Sequence, residues 1–360
     1  MDAWTLDYRP HAVRWNWRRW VGAALCVTLV KCGIASPAFA MPPPPPGDEE
    51  GADDMDLDRP VLQNMNWVMP TMGGKQLWTD ERVHGEFHIQ RNVLTGHYRL
   101  LDESDRRLAW GTWEQCEQRF REVLAEQNVP PVRGKVVVLL HGLGRSRAVV
   151  KPMADYLQKE GGYTTLRMTY ASTREGVDQH ADALRKVVDY LQEADEISFV
   201  GHSLGNIVVR HYLADEIERG QGRVRMPLGR VVMLTPPNNG AVIAKRLHST
   251  GLFAPIAGKA GVSLGREWDQ FVGRLATPPC DFGIVAGGRG NEKGNNPLLP
   301  GDDDLVVTVE ETRLAGARDF LLVPNVHSGV LRDSEVQAAT LRFLQQGCFR
   351  ADGKREPIDE

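Results

Sequence analysis

The sequence predicts an α/β fold: a doubly wound, mostly parallel sheet with a small N-terminal extension. Three observations predict it. From Lys135 onward, short β-branched apolar runs alternate with stretches of helical spacing. Runs such as Lys135-Val136-Val137-Val138-Leu139-Leu140 lack the polar alternation of a half-exposed strand, as expected when both faces of a parallel strand are covered. Finally, Gly201-His202-Ser203-Leu204-Gly205 joins one such run to an amphipathic helical stretch through a tight, glycine-flanked turn.

The elements follow in order. After the strand at 135–140, helical spacing covers about 148–159 and a strand Thr164 to Thr169. A helix over about 177–193 leads to the strand Ile197 to Val200, the turn at Ser203, and a helix to about Glu218. Strands are predicted at Arg230 to Leu234, Phe282 to Ala286 and Phe320 to Val323, and a last helix at Ser334 to Gln346. Ahead of this domain, residues 60–130 read as the extension. Glu86 to Gln90 and His97 to Leu101 suggest short strands, and a helix from Trp113 to Ala125 is ended by Pro130-Pro131. The main α/β domain is expected over 131–348, with a short cap at 241–280 and a C-terminal tail at 349–360.

The N-terminus reads as a targeting segment. Arg14, Arg18 and Arg19 precede an apolar run from Trp20 to Val30, and Ala38-Phe39-Ala40 offers an A-x-A cleavage site. Residues 1–40 are therefore expected to be a signal peptide and the protein to be exported, periplasmic or extracellular, with an uncleaved signal anchor as the alternative. Residues 41–59 contain five consecutive prolines and an acidic run, which favour an unfolded linker. Cleavage after Ala40 leaves Cys116, Cys280 and Cys348. That odd number excludes a fully paired disulfide framework, so the core must supply the stability. With 42% apolar and 25% charged residues a sizeable core is available, and a formal net charge of −4 argues against a nucleic-acid partner.

Ser203 is the candidate nucleophile. A sharp strand-to-helix bend lifts its Oγ off the backbone, and the helix N-terminus behind it favours negative charge. His141-Gly142-Leu143-Gly144 follows the first core strand, Thr235-Pro236-Pro237-Asn238-Asn239-Gly240 follows a later one, and Asp304-Leu305-Val306-Val307 precedes the last. On these four segments the region from about 135 to 346 resembles the α/β-hydrolase superfamily, and is most similar to bacterial lipases and to GPI-inositol-deacylase-like serine hydrolases. The resemblance implies an oxyanion hole formed by the amides of Leu143 and Leu204, with His141 tethering its loop rather than acting as base. It also implies the order nucleophile, acid, base along the chain.

In that order the base is His327, which follows the Phe320 to Val323 strand through Pro324-Asn325-Val326. Asp304 aligns best as the acid that orients it, with Asp303 the alternative, because Leu305 stands where the family has glycine. His202 lies inside the bend with its ring expected to point away from Oγ, His180 and His211 fall in helices, and His248 lies in the variable segment. His84, Glu86 and His88 are candidates for a metal on one strand face, against the commoner reading of solvated side chains. No cofactor or metal is expected. The expected activity is hydrolysis of small-molecule or lipid esters through an acyl-enzyme, with transient lipid-surface contact. An acyltransferase using the same residues, or a binding module on a hydrolase fold, is the alternative, and amidase or thioesterase chemistry is compatible with the same side chains.

Overall fold

The computed structural model describes residues 74–240 and 271–359. The expected signal peptide, the expected linker, most of the expected cap and His248 lie outside the described residues.

Six parallel strands form the main sheet: β5 (Gly134–Leu140), β6 (Thr164–Met168), β7 (Ala194–His202), β8 (Leu228–Leu234), β9 (Phe282–Gly287) and β10 (Asp319–Val323). Their spatial order is β10-β9-β8-β7-β5-β6. Strand β5 thus pairs with β6 on one side and β7 on the other, and the chain reverses its winding there. In open α/β sheets, sites form at the carboxyl ends of the strands beside such a reversal. The sheet, its flanking helices and this strand order are those of the α/β-hydrolase fold.

Side-chain alternation along the strands fills two cores. Val137, Leu139, Val200, Val232 and Val285 face α2 (Lys151–Gly161) and α6 (Ser334–Gln346), where Met153, Leu157, Val336 and Phe343 meet them. Val136, Val138, Leu140, Phe199, Val231 and Ile284 face α3 (Val177–Asp189) and α4 (Leu204–Arg219). Because both faces are covered, the strands read as near-continuous apolar runs. Helix α4 differs from the amphipathic stretch expected. Apolar and polar residues alike are buried along it, from Leu204 to Leu213, including Asn206, Arg210 and His211.

The extension is a four-stranded antiparallel sheet in sequence order: β1 (Trp78–His84), β2 (Phe87–Asn92), β3 (Tyr98–Leu101) and β4 (Arg107–Gly111). Helix α1 (Trp113–Glu126) packs Cys116 and Phe120 against Ile89 and Leu100. A capping box between Thr112 and Gln115 starts α1. The sequence suggests two of the four strands. Strand β1, Trp-Thr-Asp-Glu-Arg-Val-His, has no apolar period, yet every residue except Arg82 is buried. Its polar groups are paired instead. Fully buried Asp80 accepts from Gln90 Nε2 at 2.7 Å and from the Thr169 amide at 2.6 Å, and lies 3.1 Å from His88 Nδ1. Arg99 donates to Gln90 Oε1 at 2.7 and 2.9 Å and lies over the Trp78 ring. Trp78 and Trp113 are thus packed, whereas Trp110 is 59% exposed.

Residues 349–359, expected as a tail, return along the base of the sheet. The Phe349 and Glu356 amides donate to Asp319, and the Ile358 amide donates to Ala317 O at 2.9 Å. Cys116, Cys280 and Cys348 are all free thiols.

Candidate active site

Strand β7 delivers Ser203 and α4 starts immediately after it. Ser203 adopts φ 54° and ψ −122°, a backbone conformation costly for a non-glycine residue. Surrounding bonds hold it there. The Ser203 amide donates to Leu234 O at 3.0 Å, and Asn206 Nδ2 donates to Ser203 O at 3.1 Å. Glycine at 205 is required by close approach, since a Cβ there would lie 2.7 Å from Leu140 O.

The loop after β5 lies against this bend. A Cβ on Gly142 would come within 3.0 Å of Ser203 Cβ and 3.1 Å of His202 Nδ1. His141 is fully buried, stacked on Tyr170 at 4.2 Å, and its Nδ1–H donates to Gly142 O at 2.8 Å. Burial lowers its pKa to about 4, against a smaller upward pull from that carbonyl and from Asp80, so it is neutral and tethers the loop. The Gly144 amide is held at 2.9 Å by Ser172 Oγ. Among the described residues the amides of Leu143 and Leu204 donate to no protein acceptor.

His327 and Asp304 are brought together. His327 Nδ1–H donates to Asp304 Oδ2 at 2.7 Å, and the His327 amide donates to Asp304 O at 2.8 Å. Asp304 is fully buried, and its Oδ1 accepts from the amides of Val306 at 3.0 Å and Val307 at 2.8 Å. Asp303 is equally buried but is spent elsewhere. It accepts from the amides of Asn295, Asn296 and Leu305. The residue after Asp304, Leu305, has φ 87°, the left-handed region in which the family's glycine is at ease. Here the Asp303 carboxylate holds the Leu305 amide at 2.7 Å and Asn296 Nδ2 holds its carbonyl at 2.9 Å.

His202, next to Ser203 in the bend, is a residue whose part sequence reasoning missed. It is buried, its Nε2–H donates to His327 O at 2.9 Å, and the two rings are 5.0 Å apart. Burial, with the neighbouring His327 ring adding to it, pushes its pKa down to about 3. A neutral ring thus ties the base loop to the residue beside Ser203. The Ser203 hydroxyl and His327 share no hydrogen bond among the described residues.

A second buried side chain joins α4 to the acid loop. Arg210 donates from Nε to Ala276 O at 2.9 Å and from Nη1 to Asn238 O and Oδ1 at 3.3 and 3.2 Å. Asn238 Nδ2 donates on to Thr312 O at 2.8 Å, in the short helix α5 (Val309–Thr312) that follows the acid. Burial without a carboxylate partner lowers the Arg210 pKa to about 10. No sequence signal marks Arg210 or His202, since their partners lie far along the chain.

The remaining candidates have separate partners. His84 bonds Tyr190 Oη and Pro130 O, Glu86 pairs with Arg167, and His88 with Asp80. Among the described residues no cluster of histidine, cysteine or carboxylate groups could hold a metal ion. His180 is buried in α3, and His211 Nε2 lies 2.8 Å from Asp178. A cavity of about 580 Å³ lies beside Ile197 and Pro227, at the amino ends of β7 and β8 and so at the opposite end of the sheet from Ser203.

Residues 132–228 match a family model described as "Putative serine esterase (DUF676)". No curated protein matches the chain. Solved structures similar to it include the mature lipase BlEst2 of Bacillus licheniformis, at 19% identity over 61% of this chain and 92% of that one, with a TM-score of 0.44. A gene product of Listeria innocua is 16% identical over 59% and 94%, with a TM-score of 0.42. A metagenomic carboxyl esterase is 18% identical over 56% and 67%, with a TM-score of 0.39. The chain folds as an α/β-hydrolase, the superfamily its motifs resemble, and its segment 132–228 matches a family of serine esterases.

Proposed function

We propose that the protein is an exported serine hydrolase of carboxylic esters, with Ser203 as nucleophile, His327 as general base and Asp304 as the acid that orients it. The 2.7 Å bond from His327 Nδ1 to Asp304 carries this reading. With Nδ1 committed, Nε2 is the nitrogen left to take a proton, and the His202 tether holds that ring beside the serine bend.

The chemistry is then a two-step acyl transfer. His327 Nε2 takes the hydroxyl proton as Ser203 Oγ bonds to the ester carbonyl carbon, and the electron pair moves onto oxygen. The amides of Leu143 and Leu204 receive that charge. Collapse of the intermediate expels the alcohol, which leaves with the proton from Nε2. Water repeats the sequence on the acyl-enzyme, releasing the acid and free Ser203. Leu305, Val306 and Val326 are 37–45% exposed and flank Asp304 and His327 in sequence, which favours esters with an apolar acyl chain. The leader at 1–40 supports export.

Hydrolysis of p-nitrophenyl esters of graded chain length, by wild type and Ser203→Ala, tests the proposal. Turnover that disappears with the serine, with a preference for apolar acyl groups, is the expected result. Near-wild-type turnover by Ser203→Ala defeats it, and acyl transfer to an added alcohol in preference to water reassigns the enzyme as a transferase.

A further inference from the structure

Among its contacts with the catalytic domain, the N-terminal sheet has one beside the loop after β5. Beyond β6, residues 169–173 run beside the start of β1. The Asp80 amide donates to Thr169 O at 2.8 Å, the Thr169 amide donates to Asp80 Oδ2 at 2.6 Å, and the Ala171 amide donates to Thr79 Oγ1 at 3.1 Å. The same stretch supports the loop after β5 from behind. Tyr170 donates its hydroxyl to His141 O and its amide to His141 Nε2, and Ser172 Oγ accepts from the Gly144 amide.

Gln76, two residues before β1, spans both segments with one side chain. Its Nε2 donates to Arg145 O at 2.6 Å. Its Oε1 accepts from Ser172 Oγ at 3.1 Å, and from the Thr173 amide and hydroxyl at 3.2 and 3.1 Å. Because the Ser172 hydroxyl hydrogen goes to Gln76, its lone pairs are turned toward the Gly144 amide. The loop is thus fixed on both sides of Gly144, the residue that follows Leu143 and has φ 68°.

We propose that the N-terminal sheet is the positioning arm of the oxyanion loop, and that Gln76 is the positioning residue through which it acts. The proposal rests on the reading of Ser203 as nucleophile and Leu143 N–H as oxyanion donor. Gln76 touches no reacting atom on this account. It holds the peptide that carries the donor, so its loss is felt where charge develops rather than where substrate binds.

The test uses the full chain and three variants. Gln76→Met keeps the length and removes all four hydrogen bonds, Gln76→Glu keeps the acceptor and loses the donor, and Ser172→Ala cuts the link from the loop side. For Gln76→Met, kcat on p-nitrophenyl butyrate should fall about tenfold or more, with KM within twofold, since small misplacements of catalytic groups carry costs up to about 10²-fold. Affinity for an arylboronic acid, whose adduct with the serine mimics the oxyanion, should fall in parallel. Gln76→Glu should lie between wild type and Gln76→Met. Ser172→Ala should act in the same direction, and its combination with Gln76→Met should cost less than the two losses added together, because the Gln76–Ser172 bond is shared by both. Thermal unfolding checks that each variant folds, and if Gln76→Met does not, Ser172→Ala decides. Unchanged kcat and boronate affinity, or a loss confined to KM, overturns the proposal. Failure of the nucleophile reading shows separately, as a Ser203→Ala protein that still hydrolyses ester.

Discussion

The two sheets of this molecule are built on opposite principles. The parallel sheet is largely apolar, with Val136, Val138, Leu140, Val232, Val285 and Ile284 fully buried, and it keeps most of its polar chemistry for the strand ends and the loops beyond them. The antiparallel sheet buries Asp80, Glu81, His88, Gln90 and Arg99 within itself. One is held by the removal of apolar surface from water, which tolerates change wherever volume is kept. The other is held by charges that each need a particular partner, and losing one partner strands the next. A scaffold of the first kind can carry exposed, reactive loops. One of the second kind is suited to fixing a position.

Variants at the strand ends should therefore lose activity with little loss of stability, and those inside the small sheet, away from the Gln76 contact, the reverse. The largest expected effect is that of Ser203→Ala, a drop in kcat on the order of 10⁶, with the thermal midpoint near wild type. Asp304→Asn should cost about 10⁴ in kcat by leaving His327 without its carboxylate, whereas Asp303→Asn, which loosens the 295–305 loop but leaves the imidazole partnered, should lose far less. Equal losses in the two aspartate variants would break the assignment. His202→Met should lower kcat by up to about 10²-fold through a displaced His327, and His202→Gln, which can still donate to the same carbonyl, should recover most of it.

In the small sheet, Asp80→Asn should cost about 3–5 kcal/mol in urea unfolding at pH 7, as for other broken buried ion pairs, while active-site titration of the folded fraction stays at wild type. Burial by itself would raise the Asp80 pKa, but the charge and hydrogen bond of His88, the Arg147 charge and the Thr169 amide outweigh it, so the pKa lies below the ordinary carboxylate value. A carboxyl lowered on folding stabilises the native state above its unfolded pKa and loses that contribution as pH falls through the folded value. The gap between wild type and Asp80→Asn should accordingly be widest near neutrality and close below about pH 4. A gap that widened on acidification would refute this account. The smallest effect is expected from Thr112→Ala, which removes one half of an exposed capping box and should cost about 1 kcal/mol.

The contrast also explains what was legible in the sequence. Every strand of the parallel sheet is visible, to within a few residues at its ends, because burial on both faces demands continuous apolar runs. The bend at Ser203 is visible because close packing against Leu140 admits only glycine at 205. Strand β1 is not, because its residues are buried by pairing with Gln90, Glu175 and Arg91 rather than by apolarity, and no local period records that. In the candidate site, Ser203 and His327 stand out by spacing. The choice between Asp304 and Asp303 turns on which carboxylate faces a ring and which faces backbone amides, a difference set by the fold of the 295–305 loop. His202, Arg210 and Gln76 act through partners 28 to 125 positions away in the chain or on stretches with no motif of their own, so only the folded chain reveals them.

Arg210 has one more consequence. A single guanidinium grips Asn238 and Ala276, so the polypeptide leaves the sheet and comes back to it at the same anchored spot. The clasp couples the turn after β8 to the approach to β9, so a change at Arg210 is transmitted to both strand connections at once.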